Sequence, residues 1–371
     1  MCRKKILYIM GVDWNWIFQR PQIIEHHLEE KYDMTVVYPR SILKRRDNDE
    51  KCEARPNEQR VLWTIPKQEK IRIVGKLGRI LSRHIFEDIN EFDAVILGYP
   101  LYYRYIPFSY RGVVIYDCMD CYEALYPDKR NVYKLVQEEK RLIENSAAIV
   151  VTAQKLYQKV AKFVPKEKIE LIRNGTSITR VYQPQTRVER KHIYKIGYFG
   201  MISDWFDYQL LINSCRRHSD VNYHVIGPAV KACPVESNQI IMEGVVPNAE
   251  LASYTQDYDC LIMPFIVNDV VEWVDPVKLY EYIAFGKCII SVRYEEIERF
   301  EPYVYMYSDE EEYEKLLAEL LEKGFPAKYT REQQLEFMNG NSWEQRFAQW
   351  DELLCRCIGE NNKTIEEEVK V

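Results

Sequence analysis

No stretch of this chain approaches the roughly 20 consecutive apolar residues of a membrane-spanning helix, so no transmembrane span is expected. Surplus positive charge is missing as well. The 51 Lys and Arg stand against 57 Asp and Glu, a net charge of −6, which argues against nucleic acid as a partner. Orderly cysteine spacing is also lacking. Cys118 and Cys121 have C-x-x-C spacing and Cys355 and Cys357 stand two apart, but the ten cysteines are otherwise scattered. Neither pair has the second pair or the histidines that a zinc site uses, so no metal is expected. Cys260 and Cys288 lie within apolar runs and read as reduced thiols of a cytosolic protein. Internal sequence repeats are absent. Ile6–Met10 after Arg3-Lys-Lys imitates a signal peptide, but Asp13 and Trp14 interrupt it, so a first β-strand is the better reading.

A chain of 371 residues is long for one core and predicts two domains. Tyrosine is abundant at 28, which suits a carbohydrate-facing surface and an ordinary core equally. After the first strand comes Gly11-Val-Asp-Trp-Asn-Trp-Ile-Phe-Gln-Arg-Pro-Gln22, placed where open α/β sheets bind ligands. Trp14, Trp16, Gln19 and Arg20 are an odd load for a plain connector. They either stack on a sugar or a lipid headgroup, or pack the loop onto its domain. Residues 40–60 read as an irregular polar loop. Over 67–84, Ile71, Val74, Leu77, Leu81 and Ile85 fall on one helical face and Arg72, Lys76, Arg79 and Arg83 on another, with six basic residues to one acid in that window. Such a helix suits an anionic membrane surface or an acidic acceptor, unless its apolar face is simply the core-facing side. Ala94–Leu97 and Val113–Tyr116 are further buried strands. Asp117 and Asp120 follow the second, where general bases are often held, although loop-capping is a common alternative use of Asp.

The alternation of strands and helices restarts after Arg173-Asn-Gly-Thr176 and a linker containing Pro184. Lys195–Phe199 is a strand, and Gly200 behind it has no Cβ to keep a ligand from the backbone. Asp275-Pro-Val-Lys-Leu-Tyr-Glu-Tyr-Ile-Ala-Phe-Gly286 then reads as a capped helix: Asp275 at the cap, Pro276 in the first position, Gly286 ending it in a left-handed turn. Lys278 and Glu281 project from one face of its first turns. The helix amino end plus Lys278 suits a diphosphate, and Glu281 suits the hydroxyls of a ribose. An ordinary capped helix with a surface Lys and Glu is the plain alternative.

Pro-Val-Lys-Leu-Tyr-Glu-Tyr-Ile-Ala-Phe-Gly-Lys resembles the nucleotide-sugar-binding helix of GT-B glycosyltransferases of the group 1/family 4 kind. The order Gly-Tyr-Phe-Gly, Gly-Pro, Glu-Gly-Val-Val-Pro, Met-Pro-Phe, Pro-Val-Lys-x-x-Glu resembles that family's donor domain from end to end. Where many members carry a second glutamate, this chain has Trp273, with Glu272 beside it. The first loop and Val-Ile-Tyr-Asp-Cys-Met-Asp resemble teichuronic-acid and capsule-type members. The resemblance implies an α/β protein of GT-B type, two Rossmann-like domains facing a cleft, with the last helix crossing back to the first domain. Its bounds would be an acceptor domain over 1–176, a linker over 177–191, a donor domain over 192–340, a crossing helix over 341–358 and a disordered tail over 359–371. It implies a UDP-sugar donor, a saccharide or lipid-linked acceptor of surface polysaccharide synthesis, and no required metal or cofactor. Lys278, Gly200 and Met201 would serve the diphosphate, and Glu281, Glu243 and Val246 the ribose and base. Asp120 would be the catalytic base, with Asp117 bracing it, and Trp14, Trp16 and Arg20 would face the acceptor. The protein is expected in the cytoplasm, at the inner face of the membrane if the basic helix touches lipid. A sugar-nucleotide epimerase of the same architecture and a non-catalytic nucleotide-sugar or polysaccharide-binding protein remain alternatives.

Overall fold

Ile6–Ile9, Val95–Leu97 and Ile149–Val151 have no exposed surface at all. Unbroken apolar strands of this kind are buried on both faces, as strands of a parallel sheet are. The computed structural model describes residues 3–15, 19–42, 56–65, 75, 78, 80, 82–126, 129–176, 178, 180–186 and 193–369. The chain divides into two units, Met1–Arg173 with Trp343–Val371, and Asn174–Ser342.

The first unit holds a seven-stranded sheet of order β3-β2-β1-β4-β5-β6-β7. Its strands are β1 (Lys5–Ile9), β2 (Asp33–Ser41), β3 (Glu58–Thr64), β4 (Ala94–Leu97), β5 (Val113–Cys118), β6 (Ala148–Val151) and β7 (Ile169–Leu171), all parallel. The order reverses between β1 and β4. There Gly11 and Gly98, each two residues beyond or just behind a strand end, approach so closely that a Cβ on Gly11 would stand 2.9 Å from the Gly98 carbonyl. The C-terminal helix Trp343–Val369 closes this unit, with Trp350, Leu354 and Ile358 buried against Ile24 and Leu28 of the helix Arg20–Leu28.

The second unit holds a six-stranded sheet of order β10-β9-β8-β11-β12-β13. Its parallel strands are β8 (Tyr194–Phe199), β9 (Val221–Ile226), β10 (Ile240–Gly244), β11 (Cys260–Met263), β12 (Cys288–Val292) and β13 (Tyr305–Tyr307). Its order reverses between β8 and β11, the position at which open sheets hold nucleotides. Helix ends follow local signals. Asp207 accepts from the Leu210 N–H at 2.9 Å to start Tyr208–Arg217, Asp309 does the same for Glu310–Lys323, and Gly324 ends the latter at φ 73°.

Several expected boundaries move. The units part between Arg173 and Asn174, because the Asn174 and Thr176 N–H groups bond to Asp275 and Asn341 of the second unit. Residues 58–64, expected within or at the end of a loop, form the edge strand β3. The tail beyond 358, expected to be disordered, continues the helix through Val369, and Asn361 donates to the Arg111 carbonyl at 2.9 Å. Most of the basic segment 67–84 lies outside the described residues. Among the described residues, no helix is long and apolar enough to cross a membrane.

Candidate active site

In the second unit the carboxyl ends of β8, β9 and β10 are stitched by backbone hydrogen bonds, Gly200 N–H to Ile226 O at 2.9 Å and Gly227 N–H to Gly244 O at 2.7 Å. Gly200 has φ 140°, which L side chains rarely adopt. A Cβ there would overlap Lys278 Cε and stand 2.6 Å from its Nζ. The lysine amine therefore lies directly on the glycine loop. Its Nζ also stands 5.8 Å from the centroids of both the Tyr198 and Phe265 rings. Among the described residues Lys278 forms no hydrogen bond or ion pair. Burial draws its pKa down, and Glu281 one turn along opposes that effect. Burial pushes the Glu281 carboxyl up to about 7, with Lys278 pulling the other way. Among the described residues neither has another charge partner, and a polar ligand would complete this partly buried cation and carboxylate.

The helix carrying both, Val277–Ala284, starts at Pro276 without a side-chain cap; the Leu279 N–H donates to the Pro276 carbonyl at 3.2 Å, and the Val277 and Lys278 N–H groups with the positive helix end suit an anion. Gly286 ends it at φ 70°, as expected. Asp275 does not cap it. Its buried carboxylate instead accepts from the Asn174 N–H at 2.7 Å, from the Tyr280 hydroxyl at 3.0 Å and from Arg299. The Asn174 side chain returns a bond to the Asp275 carbonyl at 2.8 Å, and Arg299 donates to Tyr280 at 2.6 Å. This knot sets where the helix begins. Sequence reasoning missed it because Arg299 and Asn174 are distant in the chain. Glu243, at the end of β10, is paired with His224 Nδ1 at 2.7 Å. Met201 offers its carbonyl to the Tyr198 hydroxyl at 2.8 Å, and Val246 lies beyond β10 in the following loop, half-buried.

In the first unit Asp117 is next to last in β5 and is fully buried. It accepts from the Tyr8 hydroxyl at 2.8 Å and from Arg20 Nη2 at 3.3 Å, and Arg20 also donates to the Arg173 carbonyl at 3.2 Å. Asp120 follows in a loop held by Thr152, which donates to the Met119 carbonyl at 3.0 Å. Burial, then repulsion from Asp117, pushes the Asp120 carboxyl up to about 6, against the pull of Arg20. A half-buried carboxylate with that affinity for a proton, behind a strand end, has the properties of a general base. Arg20 and Trp14 do not face an acceptor as expected. Trp14 is 2% and Arg20 6% exposed. Gln22 donates to the Trp14 carbonyl at 3.2 Å and draws the loop inward, while the Asp117 charge draws in Arg20. Trp16 lies outside the described residues. Cys118 and Cys121 are buried free thiols, the latter pushed up to about 11 by burial. Among the described residues no group of three metal-ligating side chains occurs.

No protein-family model matches the chain. A Bacillus subtilis (strain 168) protein described as a teichuronic acid biosynthesis glycosyltransferase, TuaH, is 23% identical over 214 residues, an alignment covering 52% of this chain and 54% of that protein. The chain thus spans about half the length of the curated relative it matches. The lipopolysaccharide outer core galactosyltransferase WaaB in its apo form superposes with a TM-score of 0.69 at 14% identity, over 94% of this chain and 98% of that one. A sucrose-phosphate synthase from Thermosynechococcus elongatus gives 0.70 at 13% identity over 96% and 100%. Anabaena HepE in complex with UDP-glucose gives 0.62 at 13% over 99% of both chains. Two parallel α/β units, of seven and six strands, and these superpositions establish the architecture: this chain has the GT-B fold.

Proposed function

We propose that this protein transfers a sugar from a UDP-sugar to a saccharide or lipid-linked saccharide in the assembly of a surface polysaccharide. One observation carries the reading: Lys278, partly buried and without a carboxylate bonded to it among the described residues, lies on Gly200 in the first turn of an uncapped helix. Lys278 and the open N–H groups receive the diphosphate, whose negative charge grows as the sugar leaves. Glu281 accepts from the ribose hydroxyls, and Glu243, Met201 and the backbone at Val246 border the nucleoside. The TuaH description and the UDP-glucose bound to HepE support the donor and the pathway class.

In an inverting transfer the Asp120 carboxylate takes the proton of the acceptor hydroxyl. The acceptor oxygen bonds to the anomeric carbon as the bond from that carbon to the phosphate oxygen breaks and UDP departs. In a retaining transfer Asp120 would instead position the acceptor. The chain's own cation and helix end supply the leaving-group stabilisation, so no metal is required on this reading. We place the enzyme in the cytoplasm at the inner face of the cell membrane, with the basic run over 67–84 against anionic headgroups, each basic residue contributing about 1 kcal/mol.

The test is product analysis with a panel of UDP-sugars. Release of UDP that depends on a saccharide acceptor supports transfer. A new nucleotide sugar formed without any acceptor would replace this reading with an epimerase, and no turnover of any donor would leave a binding protein.

A further inference from the structure

The outer edge of the first unit's sheet carries a groove of about 570 Å³, lined by Arg60, Val61 and Trp63 of β3 and by His84, Ile85, Glu87 and Asp88. That size falls within the roughly 300–1,000 Å³ of small-molecule sites. We propose that this groove is a second saccharide-binding site, for neutral sugar residues of a long acceptor; the acceptor role rests on the transferase reading above.

The lining makes the case. Trp63 leaves half of its surface, 50%, in solvent on an edge strand, where side chains are more often charged. Ile85 beneath is 5% exposed, so the apolar part has a solid floor. Beside it the Arg60 guanidinium is fixed by Asp88 at 2.6 and 2.7 Å, by the Ile85 carbonyl at 2.8 Å and by Glu58 at 2.8 Å. A pyranose ring has an apolar C–H face and a rim of hydroxyls that donate and accept. The indole matches the face, Asp88 and Glu87 accept and His84 donates, while Arg60, all five of whose N–H groups are taken, holds Asp88 in place. The two carboxylates offset Arg60, so nothing here favours a phosphate, a uronate or an anionic headgroup. β3 is four strand positions from β5, which carries Asp117, or about 19 Å at ~4.8 Å per strand. A long saccharide could occupy both places and a short one could not.

Two measurements test this. In the first, neutral hexasaccharides of glucose, galactose and N-acetylhexosamines, a uronate hexasaccharide, and vesicles of anionic phospholipid are each titrated by calorimetry, with no donor present. At least one neutral hexasaccharide should bind, Trp63→Ala should weaken it at least tenfold, and Trp63→Phe should recover part of the loss. Absence of neutral binding, equal binding by Trp63→Ala, preference for the uronate, or vesicle binding that Trp63→Ala weakens would overturn the proposal. In the second, Trp63→Ala should raise KM for long acceptors while leaving kcat and the KM of a disaccharide acceptor unchanged. An unchanged long-to-short KM ratio with transfer intact would overturn the second site and leave the transferase reading standing. If no acceptor were glycosylated at all, the transferase reading would fall and the titration alone would decide the groove.

Discussion

Asp275→Ala is the most informative single perturbation of the donor unit. It removes a carboxylate with no side-chain exposure that bonds Arg299, the Tyr280 hydroxyl and the Asn174 N–H, and leaves Arg299, whose side chain is 25% exposed, with Glu296 at 3.4 Å. Breaking a buried ion pair from one side costs about 3–5 kcal/mol, and the partial solvation of Arg299 points to the lower figure. For a unit of this length, Asn174–Ser342, about 3 kcal/mol corresponds to a drop in Tm of roughly 6–12 °C. Differential scanning calorimetry reads this directly. The transition of the second unit should move and that of the first should stay. Asp275→Asn, which keeps the acceptor oxygen and loses the charge, should fall between. UDP affinity should drop in both variants at temperatures where they remain folded, because the helix start is no longer held. A shift below roughly 2 °C in Asp275→Ala, half a kcal/mol or so on the same scale, would refute the idea that this knot fixes the helix.

Gly200→Ala should displace Lys278, since the added Cβ overlaps its Cε, and should raise donor KM about tenfold or more while costing roughly 1–2 kcal/mol of stability for the left-handed conformation; donor kinetics and a urea melt check both. Burial pushes the Asp120 carboxyl up to about 6, and the base role proposed for it needs the ionised form, so kcat/KM should be full above that pH and fall tenfold per unit below it. An acid limb centred near 4 would remove Asp120 from the role. Asp120→Asn should abolish transfer by a factor of about 10²–10⁴, the range of a general base, and spare UDP binding by calorimetry.

Where the sequence was legible, the signal was local. The apolar runs of β1, β4 and β5 read as buried strands, and the structure buries them. The Lys278 and Glu281 pair was readable because both side chains share one turn. The missed features depend on distant partners. Glu58-Gln-Arg-Val-Leu-Trp-Thr64 lacks an apolar run because an edge strand has little to bury, and only pairing with β2 reveals it. Asp275 followed by Pro reads locally as a cap, but Arg299 and Asn174 claim its carboxylate. Trp14 in the first loop and Arg20 at the start of the helix behind it read as surface residues, yet a charge 97 residues on from Arg20 and a core behind Trp14 take both inward. The charged end of the chain suits disorder by composition, and instead extends a helix whose earlier turns are anchored by Trp350 and Leu354.

Calorimetric titration of UDP into the wild type and Lys278→Ala decides whether Lys278 grips the diphosphate of the donor. A hydrogen bond to a charged group contributes about 1.5–3 kcal/mol, so UDP affinity should fall by roughly 10- to 150-fold, each 1.4 kcal/mol being about a decade. Equal affinity in the two proteins would contradict the account.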